Sequence, residues 1–220
     1  MADSKLSALA ALAGADTASG DLFYVDDVSA TTSKSITRAE LAIGMNATQA
    51  EVDAGTATNK LLPPSLNKVS LLATQATTSG TSKDFTIPAG ARKIVIEFVG
   101  VSTNGTSNLL VQIGDAGGIE ATGYLGTASQ DAAAANYTTG FGINVATAAA
   151  ILHGAMKFSL VDAATFTWVA THSLGRSDAA ALHGGAGSKS LSQELTTVRV
   201  TTVNGTDAFD AGLVGCAYIR

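Results

Sequence analysis

The second half of the chain carries the clearest alternation of apolar and polar positions. Ile94, Ile96 and Phe98 alternate with residues such as Lys93 and Glu97. A period of two predicts a β-strand with one buried face. Further strands are predicted in LLVQIGD, TGFGINV, AMKFSLVDA, FTWVATHSL, TTVRVTTV and AGLVGCAYI. Short strands between turn residues predict an antiparallel, jelly-roll-like β-sandwich over residues 85–220.

The tripeptide NGT occurs twice, at Asn104 and at Asn204, in similar surroundings. Asn-Gly is a strong signal for a tight hairpin turn, so the strand before Asn104 is expected to pair with LLVQIGD after it. Both tripeptides also fit the acceptor pattern for N-glycosylation. The absence of a signal-peptide pattern favours turns.

The first 45 residues predict a small separate unit. DLFYVDDVS alternates as a strand does, and a helix is expected after Thr37, because Glu40 three positions later completes a capping box. A unit of this size rarely holds a sufficient core alone. Residues 1–45 are therefore expected to be completed by a neighbouring protein.

Residues 46–84 predict a connector. Thr48 and Glu51 form a second capping-box pattern, and Gly55 suits the end of the short helix that follows. Pro63 and Pro64 rule out a central strand there. The polar stretch ATQATTSGTSKD, residues 73–84, then predicts a linker.

Composition narrows the classes of function. Formal net charge is −5 with 14% charged residues, and no basic run is present, which argues against nucleic-acid binding. Cys216 is the single cysteine, so no internal disulfide is expected, and its place in the final predicted strand suggests a buried apolar role. The sequence contains no stretch of about 18 apolar residues, so no membrane span is expected. Asp3 argues against a signal peptide, so synthesis in a cytoplasm is expected.

Candidate metal, phosphate and nucleophile chemistry is weak. The three histidines His153, His172 and His183 show no metal-binding spacing; a site formed on folding with Asp178 is the alternative to ordinary polar roles. HGGAGSKS lacks the glycine that a phosphate-binding loop places before its lysine, so a surface glycine-rich turn is expected. No cofactor is expected.

Two carboxylate pairs, Asp115 with Glu120 and Asp207 with Asp210, could in principle serve glycoside hydrolysis. Sequence does not set their separation, and turn capping is the favoured role for the second pair. We therefore expect that the protein is not an enzyme. The single tryptophan, Trp168, is expected to be a core anchor rather than a sugar-stacking platform.

Several segments resemble bacteriophage tail-fibre proteins. ATQAEVDAGTATNKLLPPSL is similar to a segment common in these fibres, although KLLPPSL departs from the usual form. KLSALAALAGAD with DLFYVDDVSATTSKSITRAEL resembles the leader of phage virion proteins. VSTNGTSNLLVQIGDAGGIEATGY, DAATFTWVATHSL and TTVNGTDAFDAGLVGCAYI resemble a C-terminal fibre module.

The resemblance implies a structural virion protein, a short homotrimeric tail fibre on the outside of the particle. Residues 1–45 would bind other virion proteins, and the β-sandwich head would bind a glycan or protein of the host surface. A capsid decoration or head-fibre protein of the same build is the alternative, and a polysaccharide depolymerase is a third. Loops on a rigid scaffold suit receptor contact. The residues expected to make that contact are Tyr124, Tyr137, His172, Arg176, Asp178 and His183.

Overall fold

The computed structural model describes residues 22–25, 34–37, 48, 51 and 69–220. The chain divides into two compact units, Met1–Leu66 and Asn67–Arg220. In the first unit, strand β1 (Leu22–Val25) pairs antiparallel with β2 (Lys34–Thr37). The helix predicted after Thr37 lies outside the described residues.

The capping box at Thr48 is confirmed. The Thr48 backbone N–H donates to Glu51 Oε2 at 2.8 Å, and the Glu51 N–H donates to Thr48 Oγ1 at 3.3 Å. Each side chain thus satisfies a backbone donor that the first helical turn leaves without a partner. Gly55, Pro63 and Pro64 lie outside the described residues.

The second unit is mainly antiparallel β and consists of two sheets. The large sheet has the order β10-β9-β14-β13-β12-β6-β16-β3, with β4 also paired to β16. The small sheet has the order β11-β7-β15-β5, with β8 paired to β7. The strands are β3 (Ser70–Leu71), β4 (Gln75–Ala76), β5 (Lys83–Thr86), β6 (Lys93–Thr103), β7 (Leu109–Asp115), β8 (Gly118–Ile119), β9 (Leu125–Gln130), β10 (Ala133–Tyr137), β11 (Phe141–Ile143), β12 (Leu152–Asp162), β13 (Thr167–Arg176), β14 (Leu182–Ser190), β15 (Thr197–Thr202) and β16 (Phe209–Ile219).

One hydrophobic core lies between the two sheets. The alternation in β6 is confirmed, because Ile94 and Ile96 are fully buried while Glu97 is exposed. Val198 and Val200 of the small sheet join the same cluster, again by alternation. Burial of one face of each strand is the main stabilising term of such a domain.

The β domain begins earlier than predicted. Its compact unit starts at Asn67, not at Phe85. Gln75–Ala76 and the first two residues of Lys83–Thr86 belong to the predicted linker, yet these strands pair with β16 and β15 respectively. The serine- and threonine-rich sequence gives no strand signal for these segments, because they are held by backbone pairing with strands distant in sequence.

The predicted hairpin at Asn104 is wrong. Strand β6 belongs to the large sheet and β7 to the small one, so the connection at 104–108 crosses between sheets. The second NGT does the same in reverse, from β15 to β16 at 203–208. Asn104 N–H donates to the Ala208 carbonyl and Asn104 Oδ1 accepts from the Ala208 N–H, both at 2.9 Å. We call these two connections the paired corners.

A carboxylate fastens the paired corners to each other. Asp207 accepts from the Ser107 N–H at 2.9 Å and from Asn204 Nδ2 at 2.6 Å. These bonds hold the pKa of Asp207 below its ordinary value, with Asn204 the largest cause. A Cβ on Gly105 would lie 2.0 Å from the Asp207 carboxyl carbon, so that corner requires glycine for space. The prediction that Asp207 caps a turn is confirmed, whereas the same prediction for Asp210 is wrong, because Asp210 lies in strand β16.

Candidate functional site

An open groove of about 430 Å³ lies on the outer face of the small sheet. Gln112, Arg199 and Thr201 are placed there because each alternates with a buried apolar neighbour in β7 or β15. The chain entering β5 and the second of the paired corners complete its walls through Ser82 and Asn204. Concave surfaces of this size suit small ligands or short segments of polymer.

Hydrogen bonds fix the polar side chains of the groove. Gln112 Nε2 donates to the Thr139 carbonyl at 2.9 Å. Thr201 Oγ1 donates to the Thr81 carbonyl at 2.8 Å. Side chains already held in place lose little further freedom when a ligand binds.

The Arg199 guanidinium forms a two-point pair with Asp84 across the strands β15 and β5. Nε lies 2.7 Å from Oδ1 and Nη2 lies 2.6 Å from Oδ2. Hydrogen bonding to Asp84 raises the pKa of Arg199 above its ordinary value. The groove therefore presents a fixed array of amide, hydroxyl and guanidinium groups, which can bind polar ligands without any chemical step.

The expectation that Tyr124 and Tyr137 face outward is wrong. Tyr124 is 1% exposed and Tyr137 is 7% exposed. The Tyr124 hydroxyl accepts from the Ile113 N–H at 2.8 Å and lies 3.0 Å from the Glu120 carbonyl, to which it can donate. Burial raises the pKa of the Tyr124 phenol well above its ordinary value. Both tyrosines are core residues here.

His172 and His183 are buried as well, on the inner face of the large sheet. His183 Nδ1 lies 2.7 Å from the Asn144 carbonyl. Burial, with a smaller contribution from His183, lowers the pKa of His172 to about 4. The Nε2 atoms of both rings lack a hydrogen-bond partner within the described structure. Neither ring reaches the surface, so their expected exposure to a receptor is wrong.

Arg176 and Asp178 form an ion pair at the end of β13, which is an interior strand of the large sheet. Asp178 Oδ1 also accepts from the Ile151 N–H at 2.9 Å. The pair holds the pKa of Asp178 far below its ordinary value, with Arg176 the largest cause. Beside it, His153 Nδ1 accepts from the Gly100 N–H, which places the ring proton on Nε2 for donation to Ser177 Oγ at 3.2 Å. Of the six residues expected to contact a receptor, only Arg176 and Asp178 lie near the surface.

Asp115 and Glu120, the first carboxylate pair considered for hydrolysis, have structural partners. Asp115 is 3% exposed and accepts from Gly117 N, Ser192 N, Ser192 Oγ and Gln193 N. These bonds, that of the Ser192 hydroxyl above all, lower the pKa of Asp115. Glu120 pairs with Lys189 at 3.3 Å. Asp115 therefore anchors the β14–β15 loop.

Two further predictions concern Cys216 and the glycine-rich stretch near His183. Cys216 is buried in β16, as predicted, and burial raises the pKa of its thiol to about 12. The expected surface turn at 183–190 is wrong, because these residues form strand β14. A Cβ on Gly185 would lie 2.4 Å from His172 Cε1. The glycines thus permit close packing between strands.

The groove was not predicted from the sequence, although one feature of the sequence indicates part of it. The alternation of Arg199 with Val198 and Val200 marks an outward-facing arginine. Nothing local shows that Gln112, more than 80 positions earlier, lies beside it: the register that pairs them appears only in the folded sheet.

Neither a metal site nor a membrane helix is found in the described part of the chain. No group of three or more His, Cys, Asp or Glu side chains there could hold a metal ion. None of the described helical residues belongs to a helix long and apolar enough to cross a bilayer. No family model matches the chain, and neither does any curated protein or solved structure.

Proposed function

We propose that the chain is a structural fibre protein of a bacteriophage particle, whose β domain binds the host surface through the groove on the small sheet. The observation that carries the proposal is the groove itself, a ligand-sized polar concavity walled by hydrogen-bonded side chains. The fibre context comes from the sequence resemblance in the leader, the connector and the final strands. On this proposal the ligand is a surface glycan, whose hydroxyl groups match amide, hydroxyl and guanidinium partners.

The proposed build is a jelly-roll-like head following an attachment unit. Two sheets with a shared core, joined by connections that cross from one sheet to the other at the paired corners, support this description. We further propose that three chains associate, and that residues 1–45 join them to other virion proteins. A particle-bound trimer would present three grooves, and multiple weak contacts give strong attachment.

Binding to polysaccharides tests the groove. The intact protein is applied to a panel of bacterial lipopolysaccharides and capsular polysaccharides, and saturable binding to at least one is expected. Ser82→Trp should abolish it, because an indole fills the groove without removing any of its hydrogen bonds. Ser159→Trp, on the outward face of the large sheet, is the matched control. Binding that survives Ser82→Trp, or no binding to any polysaccharide, contradicts the proposal.

A capsid decoration protein is the second candidate, because apolar side chains are exposed on the outer face of the large sheet. Leu71 is 77% exposed, Val99 50% and Leu213 37%, and the latter two are cross-strand neighbours. Such a surface is typical of one covered in an assembly. Gold-labelled antibody on intact particles separates the candidates: label at the tail supports the fibre, and label on the capsid supports decoration.

Oligomeric state has its own measurement. Light scattering of the intact chain should give the mass of three chains, and a monomer would contradict the trimer. Deletion of residues 1–45 should leave a soluble β domain that no longer enters particles. Normal incorporation of the truncated chain would show that attachment lies elsewhere.

A further inference from the structure

A second cavity lies near the start of strand β15. The groove, by contrast, extends to Asn204, just after the end of that strand. The second cavity has a volume of about 140 Å³ and is formed by the turn before β6, the β12–β13 turn and the β14–β15 loop. Leu160, Phe166 and Leu195 give it apolar walls, and Arg92 and Glu194 lie at its edge. We call it the Trp168 pocket, after the indole that forms part of its lining.

The indole of Trp168 has an unused donor. Its side chain is 2% exposed, and Nε1 lacks a hydrogen-bond partner in the described structure. A buried donor without an acceptor costs about 1–3 kcal/mol, so such groups are rare and call for a physical reason. Nε1 itself has almost no exposed surface, so an oxygen atom of a ligand would supply the missing acceptor only after a small rotation of the indole.

The lip of the pocket is held in a strained conformation. Phe166 has φ +47°, which bulky side chains rarely adopt. The turn that carries it is fixed by Asp162, whose Oδ1 accepts from the Ala164 N–H and whose Oδ2 accepts from Thr165 Oγ1, both at 2.8 Å. The Phe166 carbonyl accepts from the Leu191 N–H at 3.2 Å. Strain maintained by surrounding bonds is characteristic of binding sites.

The polar edge is fixed too. Glu194 Oε1 accepts from the Gly90 N–H at 2.6 Å. That bond orients the carboxylate, and among the described residues no hydrogen bond engages Oε2. The pocket thus combines an aromatic and aliphatic wall, an acceptor at its edge and a buried donor in its lining.

These features together match one class of ligand. A pyranose ring has an apolar C–H face, which packs on aromatic and aliphatic side chains, and hydroxyl groups around its rim, which both donate and accept. We infer that the Trp168 pocket binds a single pyranose ring, with its C–H face on Phe166 and Leu160 and a hydroxyl donating to Glu194. A small rotation of the indole lets a second hydroxyl oxygen accept from Trp168 Nε1.

This site is separate from the groove, and it rests on the proposed function only for the source of the sugar. In a fibre the ring would be the end group of a host glycan; otherwise it would be a free monosaccharide. Methyl glycosides separate these sources: a pocket for end groups accepts a ring whose anomeric oxygen is blocked, and a pocket that requires the free anomeric hydroxyl does not. Binding of either form supports the pyranose site.

The single tryptophan provides a specific reporter. The intact protein is titrated with glucose, galactose, N-acetylglucosamine and their methyl glycosides, while the one indole N–H peak is followed by ¹H–¹⁵N NMR. At least one sugar should shift this peak saturably, with a Kd of about 1 mM, since few atoms contribute contact. Sorbitol, an open-chain polyol without a rigid C–H face, should leave it unchanged.

Two variants of the pocket and one control variant test the site. Glu194→Gln removes the charge yet keeps an oxygen for Gly90, and should weaken sugar binding about tenfold. Glu97→Gln, on the outer face of the large sheet, should leave binding unchanged. Phe166→Gly relieves the backbone strain but removes the stacking face, so the indole shift should disappear.

The outcomes are distinguishable from those of the groove experiment. A sugar-dependent indole shift lost in Phe166→Gly supports the pocket even where Ser82→Trp leaves polysaccharide binding intact. No shift with any pyranose, an equal shift with sorbitol, or an undiminished response in both Glu194→Gln and Phe166→Gly overturns the inference. Polysaccharide binding lost only in Ser82→Trp would then leave the proposed function standing.

Discussion

Trp168 and His172 lie four residues apart on the same inward face of strand β13, and each has a buried ring nitrogen without a partner. Their surroundings differ. Trp168 borders a cavity of about 140 Å³ near the end of β13, whereas His172 borders one of only about 10 Å³, and its ring lies close to Gly185. The two buried ring nitrogens therefore have different consequences. A ligand can supply an acceptor to the Trp168 indole, whereas the His172 imidazole has no such space and stays neutral.

The contrast shows how position along a strand decides the role of a buried polar group. Near the sheet end, the three adjoining turns leave space that core side chains do not fill. Nearer the middle of β13 the space beside the ring is far smaller, and glycine at position 185 of β14 makes room for the imidazole.

The largest effect is expected from Gly185→Ala. The added Cβ would lie 2.4 Å from His172 Cε1 and 2.7 Å from the Thr127 carbonyl oxygen, and the backbone atom cannot move aside easily. Overpacking of this kind should lower the free energy of unfolding by about 3 kcal/mol. Urea denaturation gives the value.

Gly184→Ala is the matched control for that change. It lies in the same strand on the opposite face, and its Cβ would meet its nearest atom at 3.9 Å. Its stability should stay within about 1 kcal/mol of the parent. Equal losses in the two variants would show that β-strand glycine as such, rather than the His172 ring site, sets the cost.

The next effect is a loss of stability in mild acid. The unfolded His172 has a pKa near 6.5, while burial in the folded state lowers its pKa to about 4. Between these values the unfolded chain binds the proton and the folded chain does not, so stability decreases as pH falls from 6.5 to 4. From pH 7 to pH 5 this group alone should cost about 2 kcal/mol.

Replacement of the ring isolates that contribution. His172→Leu should remove this part of the pH dependence, whereas His153→Gln, which alters an exposed imidazole, should retain it. Urea midpoints at pH 7 and pH 5 are the measurement. An unchanged pH dependence in His172→Leu would mean that another group titrates in this range.

The smallest effect is expected at the other end of the strand. Trp168→Phe removes the unsatisfied N–H but also some packing volume, and the two terms oppose each other. The free energy of unfolding should therefore change by no more than about 1 kcal/mol. Sugar binding, followed by calorimetry in this variant, should be lost. A stability loss several times larger would indicate that Nε1 already has an acceptor within the protein.

Sequence reasoning succeeded where one strand contains its own evidence. Alternation in β6 and β15 identified the buried residues Ile96 and Val200 correctly, and the Thr48–Glu51 capping box followed from three-residue spacing. These are local effects, set by the period of the backbone and the reach of a side chain.

It failed where the deciding partner is distant. Asn-Gly marked the connection between β6 and β7, but that β7 pairs with β15 rather than with β6 depends on the whole sheet. Tyr124 and Tyr137 were expected outside because their surroundings are rich in turn residues. Strand β9 and the alanine-rich strand β10, which contains Tyr137 and has weak β propensity, were not recognised, so the packing of Tyr137 with Leu110 and Ala128 was not foreseen.

The paired corners also constrain how this protein folds. Asn104 and Ala208, separated by 104 positions, must meet before the sandwich closes, and β16 supplies a neighbour to β6 that no earlier strand replaces. Chains dominated by such remote contacts fold slowly. On the ribosome, β6 would wait with one edge unpaired until β16 emerges, which makes that edge a point of vulnerability to premature aggregation and a natural place for a chaperone to act.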